Sequence, residues 1–228
     1  MYQSVIRNRF IRIFALGICL IGFAGVSLKA AGTGHPDSSK WAELFKSDLS
    51  NAIGGGHWEV EDGVLVARHH DTIWTKETYG DFELDLEFKV AKESNSGVFL
   101  RAGDIKKVLT ALEIQVHENT DGGRIGMVAA LYDCSAPSKN ASKPVGEWNR
   151  YTITCKGSRL KVVFNGETVQ DLDLTDWKEK GRNPDGTPNK FPKALKDYAR
   201  KGPIGFQGLH GKAQAPVWYR NVKIKKLN

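Results

Sequence analysis

Short runs of alternating apolar and polar residues, each closed by a turn signal, recur along this chain from Trp58 to Ile224, and they leave few architectures open. Alternation with a period of two marks a β-strand with one buried and one wet face, because successive side chains point to opposite sides of a pleated backbone. Phe82–Val90 alternates over its whole length, and residues 58–66 read as two strands about Asp62-Gly63, a pair that favours a tight hairpin turn. Asn165-Gly166 marks another hairpin, between Arg159–Phe164 and residues 168–172. Strands spaced this way, without helices between them, predict an all-β chain folded as an antiparallel β-sandwich. Residues 178–203 interrupt the rhythm with Lys, Gly, Asn and Pro, and only 191–201 looks briefly helical.

The strand at Leu112–His117 carries the most chemistry. Its alternation sends Leu112, Ile114 and Val116 into a core and puts Glu113, Gln115 and His117 together on the other face. A carboxylate, an amide and an imidazole in one row can bind sugar hydroxyls or move protons; the plain alternative is a solvated outer face. The acidic row Glu83, Asp85 and Glu87 reads as such a solvated surface. Arg101 ends the preceding strand, and its planar fork suits a carbonyl or a pair of hydroxyls. Residues 132–144 form a long polar loop, from which Tyr132 and Lys143 are expected to wall a groove, while Gln207 and His210 come from the segment near 204–211.

At the N-terminus, Arg7, Arg9 and Arg12 precede an apolar run over residues 13–26, and Leu28-Lys29-Ala30-Ala31 offers small residues for cleavage. That is the pattern of a secretory signal peptide, 1–30, and the run of 14 is shorter than the roughly 20 apolar residues of a membrane span. A secreted or periplasmic protein, with no membrane attachment after cleavage, is expected. Losing those residues removes four bases and no acid, so the formal charge falls from +7 to +3. With no basic block interleaved with aromatics after that loss, the sequence carries no nucleic-acid footprint, and no nucleic-acid partner is expected. Residues 31–40 read as a flexible lead, and 41–228 as one domain. Cys134 and Cys155 remain, free to pair if their geometry permits.

Several stretches together resemble one known family. Trp58-Glu59-Val60-Glu61-Asp62-Gly63, Tyr79-Gly80-Asp81-Phe82-Glu83-Leu84, Asn95-Ser96-Gly97-Val98-Phe99-Leu100-Arg101, Glu113-Ile114-Gln115, Gly146-Glu147-Trp148-Asn149, Phe164-Asn165-Gly166 and Gly202-Pro203-Ile204-Gly205-Phe206-Gln207 through His210-Gly211 look like the 3-keto-disaccharide hydrolase domain of secreted bacterial proteins. The resemblance implies a concanavalin A-like jelly roll whose concave face binds carbohydrate, with glycosides oxidised at C3 as substrates.

The chemistry of such a substrate can be argued directly. A ketone at C3 acidifies the C2 proton, and the glycosidic oxygen at C1 then lies β to the carbanion, so the bond can break by elimination, with water adding afterwards. This calls for a base near C2, a cation or donor at the C3 oxygen and an acid for the leaving oxygen. Glu113 or His117 can be the base, Arg101 the electrophile and His210 the acid, with Gln115, Tyr132, Lys143 and Gln207 binding substrate. Glu113, His117 and His210 are also candidates to hold a divalent metal ion. Two other readings stand beside this one. The segment from Glu113 to Glu118 is similar to the Glu-x-Asp-x-x-Glu motif of retaining jelly-roll β-glucanases, although Gln115 replaces the Asp and Glu118 falls on the opposite face unless a bulge intervenes. A carbohydrate-binding module without chemistry would instead show an aromatic stacking surface.

Overall fold

The computed structural model describes residues 34–118, 124–211, 213 and 215–227, and residues Ala31–Asn228 form one compact unit. The expected signal peptide lies outside the described residues. In chain order the strands are β1 (Ala42–Glu43), β2 (Ala52–Gly54), β3 (Trp58–Glu61), β4 (Val64–Ala67), β5 (Ile73–Thr75), β6 (Phe82–Val90), β7 (Asn95–Leu100), β8 (Leu112–His117), β9 (Asn149–Lys156), β10 (Arg159–Phe164), β11 (Glu167–Asp173), β12 (Gly205–Phe206) and β13 (Val217–Lys226). They make two antiparallel sheets. The larger runs β11-β10-β9-β6-β13-β4-β3, with β1 also on β13, and the smaller runs β2-β5-β12-β7-β8. Both hairpins fall where expected, at Asp62-Gly63 between β3 and β4 and at Asn165-Gly166 between β10 and β11. The helical reading of 191–201 reduces to one 3-10 turn at Leu195–Asp197.

The alternation decides what lies between the sheets. Leu84, Leu86 and Phe88 of β6 meet Leu112, Ile114 and Val116 of β8 in one continuous core. A row of aromatic rings fills the centre, with Phe88 and Tyr151 centroids 4.6 Å apart and Phe206 and Tyr219 also at 4.6 Å. Each such side chain contributes roughly 1.5–3 kcal/mol by leaving water. Two tyrosines of the large sheet also bond to the back of the small one. The Tyr151 hydroxyl donates to the Gln115 carbonyl at 2.8 Å, and the Tyr219 hydroxyl pairs with Ser96 Oγ at 2.7 Å. These bonds hold the strands that carry Gln115 and Gln207 at fixed depth, since Ser96 Oγ also donates to the Gln207 carbonyl.

Two expectations are corrected. Residues 34–40 are not a flexible lead: they lie across the outer face of the large sheet, where His35 Nδ1 bonds Thr152 Oγ1 and its Nε2 accepts the Gly166 N–H, each at 2.8 Å. Asp85 is consequently not solvated. It is 2% exposed and is bonded by Arg150 at 2.7 and 3.0 Å, by Thr152 at 2.8 Å and by Ser38. Cys134 and Cys155, whose pairing the sequence leaves open, are both buried and unpaired. Burial raises both thiols, Cys155 to about 12, so neither is a ready nucleophile.

Candidate active site

β8 is the last strand of the small sheet, and its register with β7 fixes the floor of the site. Phe99 lies opposite Glu113, Gly97 opposite Gln115, and Asn95 opposite His117. Opposed residues in an antiparallel pair share a face. These residues therefore line the face turned away from the core, as the alternation of Leu112–His117 predicts. On the other side of β7, Gly205 pairs with Phe99 and the Gln207 N–H donates to the Gly97 carbonyl at 2.9 Å. The His210 N–H donates to the Asn95 carbonyl at 3.0 Å, and beyond β8 the Tyr132 N–H donates to the Glu113 carbonyl at 2.9 Å. The floor thus has three levels: Tyr132, Glu113, Phe99, Gly205 and Trp74; then Gln115, Gly97 and Gln207; then His117, Asn95 and His210.

Two glycines make this floor possible. A Cβ on Gly97 would stand 2.3 Å from Glu113 Oε1, and one on Gly205 would stand 2.4 Å from the Trp74 ring. The Glu113 carboxylate therefore lies flat over the neighbouring strand. At the far end Trp74 stacks on Phe99 with centroids 5.3 Å apart, and Ala102, Ala111 and Ile105 cover the pair.

The electrostatics follow from this seating. Burial penalises the charged form of Glu113 and pushes its carboxyl from 4.5 up to about 8, with the Lys190 ammonium pulling the other way. The hydrogen-bond network orients the Gln115 amide so that its nitrogen donates to the Ser96 carbonyl at 3.0 Å and to Glu113 Oε1 at 3.1 Å. His117 is lowered by burial, opposed by Glu118, which favours a neutral imidazole. Gln207 is 8% exposed, and its Oε1 is buried without a hydrogen-bond partner among the described residues. A buried acceptor left open in a floor of polar groups fits a ligand hydroxyl.

Not every residue singled out in the sequence reaches this floor. Arg101 does not: its backbone is left-handed, with φ of 51°, and this breaks the alternation that would have aimed the side chain beside Phe99. Its guanidinium, 1% exposed, instead donates to the carbonyls of Gly80 at 2.8 Å and Gly157 at 2.7 Å and to Asp81 Oδ1 at 3.0 Å. All its ends are occupied by structure, so it is not the electrophile. Lys143 is also elsewhere, its ammonium donating to the Trp148 carbonyl at 2.9 Å. Trp148 itself packs under Arg220 and Lys89 on the other sheet. Glu113, His117 and His210 do not make a metal-ligand set, since among the described residues no three His, Cys, Asp or Glu side chains come together as one.

One participant had no signal in the sequence. Lys190 lies in the irregular stretch between β11 and β12, one of several lysines there, and only the folded chain brings its Nζ to 2.8 Å from the Tyr132 hydroxyl. Asn95 could have been found, since it opens the Asn-Ser-Gly run and takes the same face as Gly97.

The two antiparallel sheets make a jelly roll with a carboxylate, imidazoles and amides gathered on one outer face. The chain belongs to the 3-keto-alpha-glucoside-1,2-lyase-like domain family, whose pattern matches residues 37–225. It is similar to a 3-keto-disaccharide hydrolase of Bacteroides thetaiotaomicron, with 27% identity over 214 residues that cover 83% of this chain and 71% of that protein. Among solved structures, one named as a candidate glycosyl hydrolase of Parabacteroides distasonis superposes with a TM-score of 0.78 at 36% identity, covering 82% of this chain and all of that one. The carbohydrate-binding module CBM66 of Bacillus subtilis shares the fold alone, with a TM-score of 0.52 at 13% identity over 80% of this chain and 99% of the module.

Proposed function

We propose that this domain cleaves the glycosidic bond of 3-keto-glucosides by elimination, with Glu113 as the base that takes the C2 proton. The observation that carries the reading is the state of Glu113: a carboxyl seated on Gly97, desolvated to about 8, and so a much stronger base than an ordinary glutamate when ionised. Gln115 steadies that carboxylate, and the open acceptor of Gln207 suits a sugar hydroxyl. The C3 ketone of the substrate makes a carboxylate sufficient, where an unoxidised glycoside would need an acid strong enough to draw out an oxocarbenium-like centre. Water adding to the unsaturated sugar completes a net hydrolysis. The N-terminal segment supports action outside the cytoplasm.

The two competing readings have less support. A retaining glucanase needs a second carboxylate on the same face. The β7–β8 register runs without a bulge from Asn95↔His117 to Leu100↔Leu112, which leaves Glu118 out of step with Glu113. A binding module would offer an open aromatic platform, but Trp74 and Phe99 are 4% and 1% exposed.

The test is incubation of the purified domain with matched native and 3-keto disaccharides, with and without chelator. Release of sugar from the oxidised substrate alone is expected. Turnover of an unoxidised β-glucan would move the assignment to a glucanase, and saturable binding with no product from any substrate would leave a binding module.

A further inference from the structure

Elimination needs a proton for the leaving oxygen as well as a base at C2, and His210, the acid expected from the sequence, is exposed and stands beside Asn95, two levels of the floor away from Glu113. Tyr132 stands next to Glu113 across the rung formed by its own N–H and the Glu113 carbonyl. Its hydroxyl lies 2.8 Å from Lys190 Nζ, which also sits 4.9 Å from the ring centroid. Lys190 is not there by chance of a floppy side chain. Its backbone N–H donates to Asp133 Oδ2 at 2.7 Å, and the loop leading to it is tied to the same Asp133 through Asn183, whose Nδ2 donates to the Asp133 carbonyl at 3.2 Å. Asn183 is 6% exposed, and its Oδ1 accepts from Trp177 Nε1 and from Asn189 Nδ2, each at 2.9 Å. The irregular stretch after β11 is thus a platform that delivers one ammonium to one phenol.

The direction of that bond matters. An ammonium has donors and no acceptor, so Lys190 donates and the Tyr132 oxygen accepts, which leaves the phenol proton to point away from Lys190 toward another acceptor. We propose that Tyr132 is the acid that protonates the leaving glycosidic oxygen, and that Lys190 is the positioning residue that aims the phenol and stabilises the phenolate it becomes. The assignment rests on the elimination reading above. In the step, the C2–H bond breaks and its proton goes to the Glu113 carboxylate. The electron pair forms the C1–C2 double bond, the C1–O bond breaks with its pair, and the departing oxygen takes the Tyr132 proton. The products are the free alcohol and a 1,2-unsaturated 3-keto sugar; when water then adds, its oxygen bonds to C1, its proton goes to the phenolate and the Glu113 proton returns to C2, which restores both groups.

The experiment separates the two half-steps. In deuterated buffer, methyl 3-keto-α-glucoside is followed by NMR for exchange at C2 and for methanol release, and p-nitrophenyl 3-keto-α-glucoside for nitrophenol release. Tyr132→Phe should keep C2 exchange, lose methanol release by roughly 10² to 10⁴-fold, and lose nitrophenol release far less, since a good leaving group needs little acid help. In Lys190→Met the acidic limb of the kcat/KM profile should move to higher pH, because Glu113 loses its positive neighbour; a merely structural role would lower rates without moving the limb. Unchanged methanol release in a folded Tyr132→Phe protein, or loss of exchange and release together, overturns the assignment. If the wild-type domain neither exchanges nor cleaves these 3-keto-glucosides, the elimination reading falls and the acid falls with it.

Discussion

Glu113 is an ordinary strand residue made unusual by one missing atom. Because Gly97 has no Cβ, the carboxylate can lie down on the adjacent strand, where it loses water and holds its proton up to about pH 8. If it acts as the base, kcat/KM should climb as pH rises through about 8 instead of levelling off near the 4.5 of a solvated glutamate. Glu113→Gln keeps the shape and removes the acceptor, so turnover should fall by roughly 10² to 10⁴-fold with little change in sugar affinity. The same substitution has a stability signature. With its folded pKa above the unfolded 4.5, the wild-type carboxyl favours the folded state at low pH and loses that contribution as pH rises toward about 8. Thermal melts of Glu113→Gln should therefore gain on the wild type between those pH values. Gly97→Ala tests the seat itself: the new methyl would displace the carboxylate, and activity should collapse while circular dichroism stays that of the native sandwich.

Among elements, the turn after β7 shows how a local backbone choice overrides a pattern. Up to Leu100 the chain alternates, and one left-handed residue then sends the Arg101 guanidinium into a buried cradle that ties the β7 end to the turns at Gly80 and Gly157. Arg101→Lys keeps the charge but has no planar fork to reach three acceptors. Its stability should drop by roughly 1–3 kcal/mol, measured by denaturant titration, while kcat on a 3-keto-glucoside changes little. A large kcat loss in a protein of unchanged stability would return Arg101 to the site. The strap at 34–40 is the outer counterpart: without it, the Asp85 and Arg150 pair would face water.

At the scale of the whole molecule, the two sheets are held by apolar burial and by tyrosine hydroxyls, with no covalent tie between the two described cysteines. Dithiothreitol should therefore leave the melting temperature unchanged, and a thiol reagent should react with Cys134 and Cys155 only once the domain unfolds. Much of this architecture was legible beforehand. The period-two pattern of Leu112–His117 decides which of its residues face the core, and Asp62-Gly63 and Asn165-Gly166 decide where hairpins close, because both depend on backbone geometry within a few residues. What the pattern could not carry is the company each side chain keeps. Lys190 meets a tyrosine 58 positions away, Ser38 covers an aspartate 47 positions away, and Arg101 bonds to Gly157 across 56. Those partners are chosen by how distant segments pack. The alternation of Glu113, Gln115 and His117 put three chemical groups on one face from the sequence alone, and only the tertiary structure decided that Gly97 would desolvate the first of them, because desolvation belongs to the whole surround and not to the strand.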